Sequence, residues 1–186
     1  LRYKRNEFDE ITIYGTENKK AYLGFEYIMT DYSIERLCRD IRGKDAIIHL
    51  AAKRGRGDKL DDFHVNMKIT ENIYAACVEQ NIRNIVYASS ISVYSDLRLL
   101  PWKESQPISP VSCYGISKAV GEYLADIYHN KYGLNIKSLR LAPVFGLRDK
   151  MEFMIDIFLN KAMRKDKLTV IGKSQAKREF IYVKDV

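Results

Sequence analysis

Tyr114-Gly-Ile-Ser-Lys118 sets a phenol and an ammonium four residues apart, which on a helix places one above the other on a single face. A neighbouring ammonium favours the phenolate and draws a tyrosine below its ordinary value of about 10, so such a phenol can move protons near neutral pH. The pair alone is weak evidence, because chance supplies one in a chain this rich in Tyr and Lys. Its surroundings say more. Ala88-Ser89-Ser90-Ile91-Ser92-Val93-Tyr94 follows directly on a strand-like run, and in an open parallel sheet the carboxyl ends of strands face ligands. Ser90 is placed there to hydrogen-bond a reacting oxygen beside the tyrosine. Other chemistries find little support: Cys38, Cys77 and Cys113 form no Cys-x-x-Cys pair, which argues against a disulfide framework or a zinc site and suits a reducing cytosol. His49, inside an apolar run, reads as a hydrogen-bonded core residue.

The elements that must position these groups alternate between short apolar runs and longer stretches of helical period. That is the pattern of an α/β fold, a doubly wound parallel sheet with crossover helices. Phe25 to Met29 reads as the first strand, and Ser33 can cap a helix carrying Ile34, Leu37, Cys38 and Ile41. Ala46 to Leu50 reads as a buried strand, followed by the loop Lys53 to Gly57 and a helix from Leu60 to Gln80. Ile85 to Ala88 is the next strand. The polar stretch from Ser89 to Val111 is too long for an ordinary connection, so it is expected to meet substrate. A helix from Tyr114 to Tyr132, closed by Gly133, a strand from Ile136 to Leu141 and a helix from Met151 to Met163 complete the order.

With 46% hydrophobic and 30% charged residues, one soluble domain with a single core is expected. The net charge of +7 suits any anion, but aromatic and basic residues do not interleave as single-strand binders require, so no nucleic acid partner is expected. The basic group Lys161, Arg164, Lys165 and Lys167 reads as a solvated helix end. No apolar run approaches the roughly 20 residues that cross a bilayer, and no signal core follows the N-terminus. A cytoplasmic protein without membrane contact is the expectation.

In its order of motifs the chain resembles the extended short-chain dehydrogenase/reductases, and their sugar-nucleotide 4-epimerases in particular. A strand ending in Ser89-Ser90-x-x-Val93-Tyr94, a loop of about twenty residues, and a helix opened by Tyr114-x-x-x-Lys118 occur in that family in this order. Asp45 to Ala52, Asn66, Arg140-Leu-Ala-Pro-Val-Phe-Gly146 and Lys177 to Asp185 are similar to further family segments. The resemblance covers about Phe25 to Val186. It implies a Rossmann-like fold, a tightly bound NAD (NADP is not excluded) and a nucleotide-sugar substrate. It also implies a homodimer through a four-helix interface formed by the helices at Leu60 to Gln80 and Tyr114 to Tyr132. By the same resemblance Tyr114 is the base, Lys118 holds the nicotinamide ribose, and Ser90, with Ser92, binds the sugar. Asp31 and Tyr32 lie beside the adenine, Leu50, Ala51 and Ala52 run along the cofactor, Asn66 supports that loop, and Arg178 pairs with the diphosphate.

Three departures qualify the resemblance. The Gly-x-x-Gly-x-x-Gly run that cradles a pyrophosphate is absent, and Gly55-x-Gly57 follows the wrong strand. Phe25 to Met29 corresponds to the family's third strand, so the first strand and its glycine-rich loop are expected to be missing, together with the second. The chain is accordingly expected to be a partial cofactor domain with the start of a substrate lobe at about 147–186. Dehydratases of the family carry an Asp-Glu pair where Ile91 and Ser92 stand here, which favours an epimerase. Pro143 replaces an Asn, which puts that substrate contact in doubt. A reductase or dehydrogenase of the same fold would use the same residues, and a non-catalytic nucleotide- or RNA-binding module is the alternative of another class.

Overall fold

β-Branched and aromatic runs form the strands, and stretches with apolar residues at three- and four-residue spacing form the helices, as their rotamer freedom dictates. The computed structural model describes residues 8–18, 21–22, 24–53, 58–146, 154–170, 172 and 179–186. The chain divides into two units, Leu1–Arg140 and Leu141–Val186.

The first unit runs β1 (Thr12–Gly15), β2 (Ala21–Tyr22), β3 (Phe25–Met29), α1 (Ile34–Asp40), β4 (Ala46–His49), α2 (Leu60–Glu79), β5 (Asn84–Ser90), α3 (Cys113–Tyr132) and β6 (Asn135–Leu141), the last residue of which opens the second unit. β1 pairs parallel with β3, β2 pairs antiparallel with β3, and a second sheet has the order β4-β5-β6, with β4 parallel to β5. The two sheets therefore present β1 and β4 as edge strands. In the doubly wound order 3-2-1-4-5-6, strands 2 and 4 flank strand 1, and β3-β1 and β4-β5-β6 reproduce the portions on either side of that position.

Two expectations change here. Phe25–Met29 is not the first strand: Thr12–Gly15 precedes it and lies beside it, so the second strand expected to be missing is present. Four residues followed by Thr16-Glu17-Asn18 carry too little alternation to be read as a strand without their partner. β4 is not buried throughout, since only His49 is enclosed while Ile48 and Leu50 are exposed.

α2 packs against α1 and α3. Leu37 of α1 and Ile41 at its C-terminal cap, Ile73, Tyr74 and Cys77 of α2, and Ile85 of β5 form the principal core with Ile82 and Leu134. Each such aliphatic side chain stabilises by about 1.5–3 kcal/mol on burial. Ser33 caps α1, its hydroxyl accepting from Arg36 N–H, and Gly133 closes α3 in the left-handed conformation at φ 71°. α3 begins at Cys113, one residue before Tyr114, because Ser112 is its cap and accepts from Gly115 N–H. The stretch after β5 holds two 3-10 turns, Ile91–Val93 and Leu97–Leu99, and closes on itself through Ser109 N–H to Val93 carbonyl at 2.8 Å.

In the second unit β7 (Val144–Phe145) pairs parallel with β8 (Ile181–Tyr182), and α4 is described from Met154 to Met163.

Candidate functional site

α3 delivers Tyr114 and Lys118 one turn apart on one face. Lys118 is buried, and its Nζ donates to the Ala88 carbonyl at 2.7 Å, near the end of β5. The ammonium also lies 4.9 Å from the Tyr87 ring centroid and 5.7 Å from that of Tyr114, so two aromatic faces help to hold a cation out of bulk water. Tyr114 N–H donates to Asp58 Oδ1 at 3.3 Å, and Ser117 donates to the Tyr114 carbonyl at 2.8 Å. The helix start is thereby joined to the chain that precedes α2.

Ser90 ends β5 half-buried. Its hydroxyl accepts from Ser92 N–H at 3.1 Å and donates to the Ser92 hydroxyl at 3.1 Å. A Cβ at Gly115 would overlap the Ser92 carbonyl oxygen. Glycine after Tyr114 is thus what lets α3 approach the Ser90–Ser92 turn, a requirement that sequence reading missed and that only the neighbouring turn explains.

Leu50, exposed, and Ala51 and Ala52, half-buried, leave the carboxyl end of β4. Asn66 of α2 is buried and clamps the next residue from both sides: Oδ1 accepts from Lys53 N–H at 2.6 Å, and Nδ2 donates to the Lys53 carbonyl at 2.9 Å. Lys53 adds an ion pair with Asp62 at 2.9 Å. Beneath lies His49, whose Nε2 is 3.0 Å from Thr70 Oγ1 while Nδ1 is buried and has no hydrogen-bond partner among the described residues. Burial, with Lys118 as a second and smaller cause, pushes its pKa down to about 3.

Asp31 stands exposed after β3, accepting from Ser33 N–H at 2.8 Å and from the Ser33 hydroxyl at 2.7 Å, and these bonds hold its carboxyl below the usual range. Tyr32 adopts φ 58°; its hydroxyl donates to the Tyr14 carbonyl at 3.4 Å and its carbonyl accepts from Asn72 Nδ2 at 2.8 Å. Pro143 lies in the second unit, its carbonyl accepting from Ile181 N–H at 3.1 Å. Arg178 and the Gly55-x-Gly57 loop lie outside the described residues.

A buried ammonium beside a phenol, hydroxyls at the end of β5 and a clamped backbone turn after β4 thus stand at the carboxyl ends of two parallel strands, the edge at which doubly wound sheets bind ligands. Among the described residues no group of three or more His, Cys, Asp or Glu could hold a metal. The strand arrangement defines an α/β protein of the doubly wound class.

Comparison with known proteins narrows the class. The profile of the NAD dependent epimerase/dehydratase family matches residues 12–186, and the chain belongs to that family. Over 99% of its length it is similar to the crystal structure of UDP-N-acetylglucosamine 4-epimerase from Bacillus cereus, with 41% identity and a TM-score of 0.90, covering 62% of that chain. It is 26% identical over 94% of its length to UDP-glucose 4-epimerase of Mycolicibacterium smegmatis. It is 30% identical over 79% of its length to dTDP-glucose 4,6-dehydratase of Streptomyces griseus. The chain spans 58% and 46% of those two relatives, about half their length.

Proposed function

We propose that the protein is a nucleotide-sugar epimerase that retains NAD through turnover, with Tyr114 as the base. The observation that carries this reading is the α3 face on which Tyr114 stands one turn from a buried Lys118 pinned to Ala88, at the strand end that bears Ser90. Tyr114 takes the proton from a sugar hydroxyl and returns it, Lys118 binds the nicotinamide ribose, and Ser90 with Ser92 holds the sugar oxygen. Bound NAD supplies the reversible hydride acceptor. Leu50 to Ala52 border the cofactor, and Asn66 keeps that backbone in place through Lys53. Asp31 and Tyr32 are assigned to the adenine side, and Pro143 and Arg178 to the sugar nucleotide.

Epimerisation is favoured over dehydration because Ile91 and Ser92 follow Ser90. An apolar side chain and a hydroxyl offer no carboxyl acid–base pair for expelling water. The UDP-sugar epimerases to which the chain is similar make a UDP-sugar the first substrate to try. Val65 of α2 and Tyr123 and Ile127 of α3 are apolar yet 41%, 57% and 55% exposed, which supports a homodimer through those two helices. Free Cys38, Cys77 and Cys113 are consistent with a cytoplasmic protein.

The test uses the complete protein, denatured to release NAD for enzymatic cycling, and assayed for interconversion of UDP-N-acetylglucosamine and UDP-glucose with their 4-epimers. Retained NAD, together with turnover that Tyr114→Phe lowers by at least a hundredfold, is expected. Net reduction of added NAD or NADP would identify the dehydrogenase instead, and net oxidation of added NADH or NADPH the reductase. No cofactor and no Tyr114-dependent turnover would return the fold to a non-catalytic role.

A further inference from the structure

The loop after β5 is tied to α3 through one guanidinium. Glu122 lies one turn beyond Lys118, on the same face as Lys118 and Tyr114, and is buried. Its carboxylate accepts from Arg140 Nε at 3.1 and 3.2 Å, from Nη2 at 2.7 Å, and from the Ser89 hydroxyl. The other side of the same fork faces the loop: Nη1 donates to the Tyr94 hydroxyl and, at 3.0 Å, to the Glu104 carbonyl. The guanidinium carbon sits 5.0 Å from the Tyr94 ring centroid. Tyr94 donates to the Lys103 carbonyl at 3.0 Å and stacks on Trp102 at 5.3 Å, and Trp102 Nε1 donates to the Asp96 carbonyl at 3.0 Å.

A single planar cation thus joins the helix face that carries the proton-transfer pair to the loop that begins with Ser90 and Ser92. Lysine, a point charge without a fork, cannot serve both sides at once. We propose that Arg140 and Glu122 are a positioning pair which locks the 94–104 segment against α3 and so keeps Ser90 and Ser92 in register with Tyr114 and Lys118. The proposal rests on the epimerase reading for its effect on turnover, whereas the tether itself has an independent readout.

That readout is Trp102, labelled as 5-fluorotryptophan in the complete protein and assigned by the 19F resonance lost in Trp102→Phe. Wild-type interconversion is measured first, so its absence counts against the epimerase reading and not against the tether. In Arg140→Lys the Trp102 resonance is expected to shift and broaden while retained NAD is unchanged. There kcat should fall at least tenfold with KM within threefold, and the pH profile should keep the limb set by Tyr114. Tyr94→Phe removes the hydroxyl that links Arg140 to the Lys103 carbonyl and leaves the buried ion pair and the bond to the Glu104 carbonyl intact, so it decides the matter if Arg140→Lys does not fold; a moved resonance with kcat reduced at least fivefold is expected. An unmoved Trp102 resonance in the folded variant overturns the tether. A moved resonance with kcat and KM within twofold of wild type overturns its positioning role.

Discussion

His49 is held neutral by its burial, and its folded pKa of about 3 lies below the ordinary 6.5. Between those values the unfolded chain takes up a proton that the folded chain refuses, so stability is complete above about pH 6.5 and falls as pH drops toward 3. The slope is about 1.4 kcal/mol per pH unit for one such group. Urea denaturation at pH 7 and pH 5 should therefore show a loss of roughly 2 kcal/mol that His49→Gln largely removes; an unchanged pH difference in that variant would contradict the assignment. The buried Lys118 carries the opposite demand, a charge kept inside, which its bond to Ala88 and the Tyr87 ring make tolerable.

Two elements meet where Gly115 passes the Ser90–Ser92 turn. Alanine is the better helix former by about 1 kcal/mol, yet its Cβ would overlap the Ser92 carbonyl oxygen, and forcing a methyl into packed backbone costs about 1–3 kcal/mol. The overlap outweighs the propensity, so Gly115→Ala should lower the melting temperature and reduce turnover; a stabilised, fully active variant would show that the turn gives way. The second joint is the Asn66 clamp. Asn66→Ala strips Lys53 of both backbone partners in a part-buried setting and should cost about 1–3 kcal/mol. Under the proposed function it should also loosen NAD retention, measured as cofactor lost on gel filtration.

For the whole molecule, the outward faces of α2 and α3 leave Val65, Tyr123 and Ile127 in solvent. If the proposed homodimer forms there, Tyr123→Glu should buy a monomer at micromolar concentration in sedimentation velocity, with the circular dichroism spectrum unchanged. An unaltered dimer would move the interface elsewhere. Among the described residues no helix is long and apolar enough to cross a membrane. The arrangement of strands is also a property of the whole: β1 and β4 are both edges, and only the pairing of β1 with β3 shows which part of the doubly wound order each sheet represents.

The sequence by itself determined the class of fold and the family. α2, α3, β3 and β5 are long or regular enough for their period to show, and the order Ser90, Tyr94, Tyr114, Lys118 survives any detail of packing. β1 was illegible because four residues make a strand only when a neighbour supplies the hydrogen bonds. The exposure of Ile48 and Leu50 depends on what packs over β4, which an apolar run does not encode. The tertiary structure alone decided that Asn66 reaches back 13 residues to Lys53, that Gly115 answers to Ser92, and that Arg140 joins Glu122 to Tyr94 across 18 and 46 residues. Local periodicity reports which side of an element is apolar. Contacts between polar groups far apart in the chain exist only once the core has brought their elements together.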